Sequence, residues 1–193
     1  MRRFVMWRGA GRSTSSTSFA TSTARPLRSS ATGGSGSLTK TDIEPVALDG
    51  PALFDTGVWT WARDRRFPQL AVWFNEQVAN GRVLVCDLVI LELVRLTPNE
   101  SRAREVADRL NAFESVPMPG ELWARARSLQ LLLSAGGVHR RVPPVDLLIA
   151  ASAEAANVPL VHYDRDYERI AGFSSLDARW LVPDGTLAPD DDG

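Results

Sequence analysis

The chain has 193 residues, which suits one domain with a terminal extension, and its apolar fraction of 44% and charged fraction of 23% are typical of a globular protein. Its single cysteine, Cys86, excludes an internal disulfide framework, and no run approaches the ~20 apolar residues that a membrane-spanning helix needs. The net charge is −1, but residues 1–47 carry +5 and residues 48–193 carry −6, which excludes a generally basic domain that coats nucleic acid.

The first 47 residues differ in composition from the rest of the chain. They are rich in Ser, Thr, Arg, Gly and Ala and poor in aliphatic residues, so they cannot bury enough apolar surface to offset the entropy of ordering. We expect residues 1–47 to be a disordered basic leader, residues 48–183 to form the domain, and residues 184–193 to be a flexible acidic tail. The leader also resembles an organelle transit peptide, and a translation start placed too far upstream would explain it as well.

From Pro51 onward, short apolar runs alternate with amphipathic stretches. This alternation predicts a parallel sheet covered by helices on both faces, with a site beyond the carboxyl ends of its strands. In chain order the predicted elements are a strand in ALFDTGVW, a helix in RFPQLAVWFNEQVANG, a strand in RVLVCDL, helices in LVILELVR and SRAREVADRLNAF, a short strand in SVPM, helices in ELWARARSLQLLLSAGG and PPVDLLIAASAEAANV, a strand in VPLVHYD, a short helix in RDYERIAG and a strand in ARWLVP.

Four acidic residues lie where separate apolar segments end or turn. A carboxylate in an apolar segment is costly unless it is paired or bound to a metal, so we predict that the four share one acidic pocket. Clustered carboxylates raise each other's pKa unless a cation neutralises them, and Mg²⁺ or Mn²⁺ fits an all-oxygen site. The pattern therefore predicts metal-assisted phosphodiester hydrolysis. The four residues are Asp55, Glu92, Asp146 and Asp164.

Each of these positions also has a structural interpretation. Glu92 could be a solvent-facing residue of its helix, since exposed glutamates are common. Asp146 follows two prolines at a helix start and could stabilise the helix N-terminus, and Asp164 could cap the short helix that follows it. Asp55 has the weakest structural alternative, because it interrupts an otherwise apolar strand end.

The same segments resemble the PIN-domain ribonucleases, especially the VapC-type toxins of toxin–antitoxin pairs. DTGVW, ELVR, PPVDLLIAASA and HYDRDYERIA carry the resemblance in this order, over about residues 51–183. It implies a three-layer α/β/α sandwich with a mostly parallel sheet, RNA as the substrate, and Mg²⁺ or Mn²⁺ as the cofactor. It also implies a small antitoxin protein as partner, a homodimer, a cytoplasmic location and no membrane association. The residues that match the family's catalytic and metal-binding acids are Asp55, Glu92, Asp146 and Asp164, with Asp166 as a further acid.

The chain departs from the family pattern at two positions. Gly57 stands where the family often has Ser or Thr, and Thr56 could supply the missing hydroxyl. His162 stands where Thr is common, and a structural role at the strand end is favoured over contact with the scissile phosphate. The basic loop at residues 139–141 is the best candidate for phosphate contact, although it could also be an ordinary solvated loop.

Other classes of protein fit less well. A receiver-type phosphoacceptor needs a lysine in its domain, but the only lysine, Lys40, lies in the leader. A dehalogenase-like phosphatase needs a second Asp after the first strand, and DTGVW lacks it. A Rossmann or P-loop binder needs a Gly-rich phosphate turn, and no such turn follows a strand. The serious alternative is a PIN-like module that binds RNA or a protein without cleaving it. Several aromatic residues are expected in the core, with part of their surface serving a dimer or antitoxin groove: Trp59, Trp61, Trp73 and Phe74.

Overall fold

The computed structural model describes residues 43–187. The predicted tail beyond residue 187, and the predicted leader as far as residue 42, lie outside the described residues. The elements in chain order are β1 (Ala52–Phe54), α1 (Thr56–Trp61), α2 (Pro68–Ala79), β2 (Val83–Val85), α3 (Asp87–Arg95), α4 (Glu100–Leu110), β3 (Glu114–Ser115), α5 (Leu122–Ala135), a 3-10 turn (His139–Arg141), α6 (Pro144–Ala156), β4 (Leu160–His162), α7 (Arg165–Ala171) and β5 (Ala178–Trp180).

The five strands form one sheet in the order β3-β2-β1-β4-β5, and every neighbouring pair is parallel. The central strand β1 pairs through Leu53 with Leu84 on one side and with Leu160 on the other. The chain leaves β1 toward β2 and returns much later to β4, so the strand order reverses at β1. Ligand sites in open parallel sheets form at such a reversal. The predicted α/β class with a mostly parallel sheet in a three-layer α/β/α arrangement is confirmed.

The three central strands form because nearly all of their side chains are apolar and are covered on both faces of the sheet. All three residues of β1, β2 and β4 are buried, and Phe54 of β1 stacks on Trp73 of α2 with ring centroids 5.5 Å apart. Helix α6 is buried throughout residues 147–153, where its alanines permit close packing. Cys86 is fully buried, as the sequence predicted. In residues 43–187, no helix is long and apolar enough to cross a membrane.

Helix α1 is the main element that the sequence did not predict. The run ALFDTGVW read as one strand ending in a turn, but the strand stops at Phe54 and a helix of 6 residues starts at Thr56. Asp55 ends the strand in extended geometry, with φ −65° and ψ 158°, and its side chain caps the helix. A helix this short leaves no detectable period in a run of apolar and aromatic residues.

Residues 43–47 belong to the packed part of the chain. The Val46 N–H donates to the Leu181 carbonyl at 2.8 Å, and the Val46 carbonyl accepts from Nε1 of Trp73 at 2.9 Å. Ile43 packs against the core beside them. The boundary that composition placed after residue 47 therefore falls within a segment that contacts the domain.

Candidate acidic active site

Three carboxylates converge at the rim where β4 ends. One oxygen from each of Asp146, Asp164 and Asp166 lies within 4.8 Å of the others. Asp146 is in the first turn of α6, Asp164 follows β4, and Asp166 is in the first turn of α7. The Asp164 side chain also accepts from the Asp166 N–H at 2.8 Å. The helix-cap interpretation of Asp164 is therefore true, and it is compatible with a place in the cluster.

Asp55 follows β1, the strand next to β4, and is held rigidly there. Its side chain is 8% exposed; its Oδ1 accepts from the Tyr167 hydroxyl at 2.8 Å and its Oδ2 from the Gly57 N–H at 3.1 Å. Burial raises the pKa of Asp55, while these hydrogen bonds act in the opposite direction. The donors fix the direction of a carboxylate that has little freedom of its own.

Glu92 lies on α3 and faces α1. Its Oε2 accepts a hydrogen bond from the Thr56 hydroxyl at 2.6 Å, and its side chain is half-buried. Glu92 is therefore not simply a solvent-facing residue of its helix. The hydroxyl predicted to compensate for Gly57 is therefore present at position 56, where it orients Glu92.

The five acidic side chains share one electrostatic neighbourhood. The pKa of Asp146 is raised to about 8, first by burial and then by the negative charge of the other four carboxylates. Asp55 and Glu92 influence Asp146 in this way although they lie outside the group within 4.8 Å. The sheet edge thus brings Asp146 and Asp164 together with Asp166, the further acid named from the sequence, and places Asp55 and Glu92 near enough to act on Asp146. The four that act on Asp146 are Asp55, Asp164, Asp166 and Glu92.

This donor set fits a hard divalent cation. All the candidate ligand atoms are carboxylate oxygens, which Mg²⁺ and Mn²⁺ prefer, and the pKa of Asp146 is raised by burial first and then by the neighbouring negative charges. Arg169 forms an ion pair with Asp166 in a short contact, so part of the charge on Asp166 is already balanced. Within residues 43–187, neither Asp146 nor Asp164 forms an ion pair.

Gly57 has a steric explanation in the structure. A Cβ at this position would lie 3.3 Å from Oδ2 of Asp55, closer than most carbon contacts. The glycine lets its own N–H approach the carboxylate. The glycine at position 57 therefore leaves room for the carboxylate of Asp55, which caps the start of α1.

His162 is a structural residue. It is fully buried at the end of β4, and burial lowers its pKa to about 4, so the ring is neutral at pH 7. Nδ1 accepts from the Asp164 N–H at 3.2 Å, which leaves the proton on Nε2, 3.2 Å from Oε1 of Glu168. His162 therefore positions the backbone of Asp164.

A shallow open depression of about 640 Å³ adjoins the cluster. The turn predicted to contact phosphate reaches it through Arg141, whereas Arg140 and His139 are not part of its wall. Within residues 43–187, Arg141 makes no ion pair. The wall includes two clustered carboxylates, three arginines and two aromatic residues: Asp164, Asp166, Arg141, Arg165, Arg169, Tyr163 and Trp180.

A second concave surface, a groove of about 460 Å³, lies where α1, α3 and α4 meet. Three guanidinium groups line it, and the pKa of Arg63 is lowered by burial and by the positive charges of Arg102 and Arg109. Glu105 pairs with the latter two arginines, whereas Arg63 has no ion pair within residues 43–187. The apolar part of the lining is Trp59, Leu93, Leu96, Pro98, Val106, Leu110 and Phe113.

Sequence reasoning missed the residues that hold the acids in place. Tyr167 was unremarkable in RDYERIAG, yet its buried hydroxyl binds Asp55, which is 112 positions away in the chain. Arg169 lies one helical turn beyond Asp166, and this i,i+3 spacing could have indicated their ion pair. No local pattern could have indicated the Tyr167 contact.

Comparisons with known proteins identify the family of the chain. The family model of the PIN domain matches residues 52–173. The chain is 33% identical over 135 residues to the ribonuclease VapC18 of Mycobacterium tuberculosis, a match that covers 69% of this chain and 96% of that protein. It is 44% identical over 78 residues to the ribonuclease VapC21 of the same organism, covering 40% of this chain and 56% of that protein.

Solved structures share the fold at lower identity. DNA-bound VapBC from Salmonella typhimurium matches with a TM-score of 0.55 and 18% identity, over 68% of this chain and 98% of that chain. VapBC2 from Rickettsia felis, bound to a DNA fragment from its promoter, matches with a TM-score of 0.54 and 18% identity, over 67% and 97%. The family model and the length of the VapC18 match together show that the chain belongs to the PIN domain family and, within it, is of the VapC type.

Proposed function

We propose that this protein is a Mg²⁺- or Mn²⁺-dependent endoribonuclease and the toxin of a toxin–antitoxin pair. The observation that carries the proposal is the convergence of Asp146, Asp164 and Asp166 oxygens within 4.8 Å, in a chain of the VapC type. The ribonuclease names of its relatives support RNA as the substrate. A cytoplasmic location, where RNA is available, belongs to the same proposal.

We assign the four acids found in the sequence to catalysis and metal binding, with Asp166 beside them. A bound Mg²⁺ or Mn²⁺ supplies Lewis acidity, which acidifies water and offsets negative charge on the phosphate. The protein's own contribution is to direct the ligands. Tyr167 and the Gly57 N–H orient Asp55, and Thr56 orients Glu92. The assigned residues are Asp55, Glu92, Asp146 and Asp164.

The groove between α1, α3 and α4 is the proposed binding site of the antitoxin. Its apolar floor suits the apolar face of a helix, and its arginines favour a segment that also carries acidic residues. Arg63, which lacks an ion pair within the described chain, would gain one. We expect Arg63→Glu to weaken binding of the proposed small antitoxin, while Arg127→Glu, at an exposed position of α5, leaves binding unchanged.

Self-association is the other proposed partnership. Trp123 and Leu131 of α5 are 60% and 71% exposed, and large exposed apolar side chains are common at interfaces. Light scattering on the purified protein tests a homodimer, and a monomer at working concentrations would contradict it.

The central experiment uses the full chain, purified free of any inhibitor. We expect calorimetry to detect binding of Mn²⁺ or Mg²⁺, and we expect single-stranded RNA to be cut in the presence of either metal. A chelator should stop cleavage. Asp146→Asn should abolish both metal binding and cleavage, whereas Asp108→Asn, an exposed carboxylate on α4, should preserve both.

The alternative function is an inactive module that binds RNA or a protein. The assembled carboxylates and the ribonuclease relatives do not favour it. If the protein bound RNA but took up no divalent metal and left the RNA intact, the hydrolase proposal would give way to this alternative.

A further inference from the structure

We propose that the depression beside the acidic cluster is a subsite for one unpaired nucleotide next to the scissile phosphate. In this subsite the base stacks on Trp180 and Tyr163 and its phosphate contacts Arg141. The inference rests on the proposed ribonuclease function, because the RNA strand must pass the clustered carboxylates. It adds a determinant of substrate choice, namely an unstacked base at one defined position.

The aromatic part of the subsite is a corner of two rings. Tyr163 and Trp180 lie with ring centroids 5.5 Å apart and planes at 81°, and both side chains are half-buried. A flat base stacked on one of these rings is nearly perpendicular to the other and presents its edge to the face of that ring, an arrangement that aromatic groups favour. Stacking of unpaired bases on such side chains is how proteins usually hold single-stranded RNA.

Both rings are fixed before any RNA arrives. The Tyr163 hydroxyl accepts from the Leu187 N–H at 2.7 Å, and the Tyr163 ring packs edge-on against Trp61 at 5.7 Å. The Trp180 ring lies 4.9 Å from the buried His162 ring. Rings that are already ordered lose little entropy on binding, so the corner is well suited to hold a ligand.

Charge in the depression favours one phosphate contact over others. Arg165 is paired with Asp184 at 2.7 Å, and Arg169 is paired with Asp166. Among the described residues that line the depression, Arg141 is the arginine without an ion pair. Asp164 and Asp166 belong to both the cluster and the depression, so a strand whose phosphate reaches the carboxylates continues directly into this space.

The test measures binding of dye-labelled single-stranded RNA by fluorescence anisotropy. The full chain carries Asp146→Asn, so that the RNA stays intact. One nucleotide at a time is replaced by an abasic residue. We expect one position to lose affinity by about 5- to 150-fold, the range for a single base–aromatic stack. Adding Trp180→Leu should cause a similar loss with intact RNA, and should make the abasic replacement at that position harmless.

Matched variants separate stacking from misfolding. Phe173→Leu removes an exposed aromatic ring that does not line the depression, and it should leave the abasic penalty unchanged. Trp180→Phe keeps a stacking ring and should retain most of the affinity, which a folding defect would not allow. An abasic penalty that persists in Trp180→Leu would overturn the subsite.

The phosphate contact has its own readout. Arg141→Gln should reduce the slope of log affinity against log salt by about 0.7, the value for one contact to a single strand. Arg140→Gln, the neighbouring exposed arginine outside the depression, should leave the slope unchanged. Equal slopes for all three proteins would exclude Arg141 from the subsite.

The outcomes also distinguish the subsite from the enzyme. If wild-type protein cuts RNA with Mg²⁺ but Trp180→Leu binds and cuts like wild type, the subsite is wrong and the ribonuclease proposal stands. If RNA binding depends on Trp180 but the RNA stays intact both with divalent metal and with a chelator, the subsite stands and the hydrolase proposal falls.

Discussion

Replacing Asp146 by asparagine should stabilise the protein when no metal is bound. In the folded state, burial and four neighbouring carboxylates raise the pKa of Asp146 from the usual 3.8 to about 8, whereas in the unfolded chain it returns to the usual value. The fold therefore disfavours the charged form. Asparagine keeps nearly the same shape without the charge, so the unfavourable contribution disappears.

The sign of the pH dependence follows from these two pKa values. Below pH 4 the carboxyl is protonated in both states and resembles asparagine, so wild type and variant should have similar stability. As the pH rises from about 4 to about 8, the unfolded state loses its proton first and wild type becomes progressively less stable than the variant. Above pH 8 the difference should be constant.

The size of the effect is bounded by the same pKa values. A change from 3.8 to about 8 corresponds to at most about 6 kcal/mol at 1.36 kcal/mol per pH unit. Because the side chain is half-buried and its charge is partly screened by solvent, we expect on the order of 2 kcal/mol. For a domain of this size that is about 4–8 °C in Tm.

The assay is thermal and urea denaturation between pH 4 and pH 9 with a chelator present. Asp108→Asn, the exposed control on α4, should change stability by less than about 0.5 kcal/mol at every pH. Adding Mg²⁺ should reverse the order, because only wild type gains binding free energy, about 2.7 kcal/mol at 100 times the Kd. The reasoning would be refuted if Asp146→Asn were no more stable than wild type at pH 8, or if its gain in stability at pH 4 were as large as at pH 8.

Three further predictions concern residues that orient the acids. Thr56→Val removes the hydrogen bond to Glu92 and should lower RNA cleavage by about 10- to 100-fold. Thr56→Ser keeps the hydroxyl and should keep the activity. Equal activity of the two variants would contradict the idea that this hydroxyl orients Glu92. Tyr167→Phe leaves the buried Asp55 without its hydroxyl donor and should cost about 1–3 kcal/mol in urea denaturation, together with weaker Mn²⁺ binding by calorimetry. His162 has its pKa lowered to about 4 by burial, so wild type should lose stability as pH falls from about 6.5 to about 4; His162→Gln should show a shallower loss, and an unchanged acid limb would argue against a neutral buried ring.

The strands and the acidic positions could be predicted because both depend on local sequence. Uninterrupted apolar runs mark strands buried on both faces, and a carboxylate at the end of such a run stands out. Asp55 and Asp164 follow two strands that are neighbours in the sheet, and the carboxyl ends of parallel strands share one edge. Their proximity was therefore implied by the alternation of strands and helices.

The partners of the acids could not be predicted in the same way. The hydrogen bond from Tyr167 to Asp55 and that from Thr56 to Glu92 depend on how α7 and α3 pack against α1. The corner of Tyr163 and Trp180 forms because β5 pairs with β4 at the sheet edge. Such contacts follow from tertiary packing, which hydrophobic periodicity does not specify. The packed segment around Val46 was assigned to the leader because the composition of residues 1–47 as a whole is polar.

The distance along the chain between Asp55 and the residues that complete its site determines how late in translation the site can assemble. Tyr167, which holds Asp55, follows it by 112 positions, and at about 5–20 residues per second a ribosome needs about 6–22 s to add them. During that interval β1 has no β4 to pair with, and Asp146 and Asp164 are made only near its end. A nascent chain therefore emerges with an unassembled acidic centre, and it acquires the proposed nuclease activity only when almost all of the domain has left the ribosome.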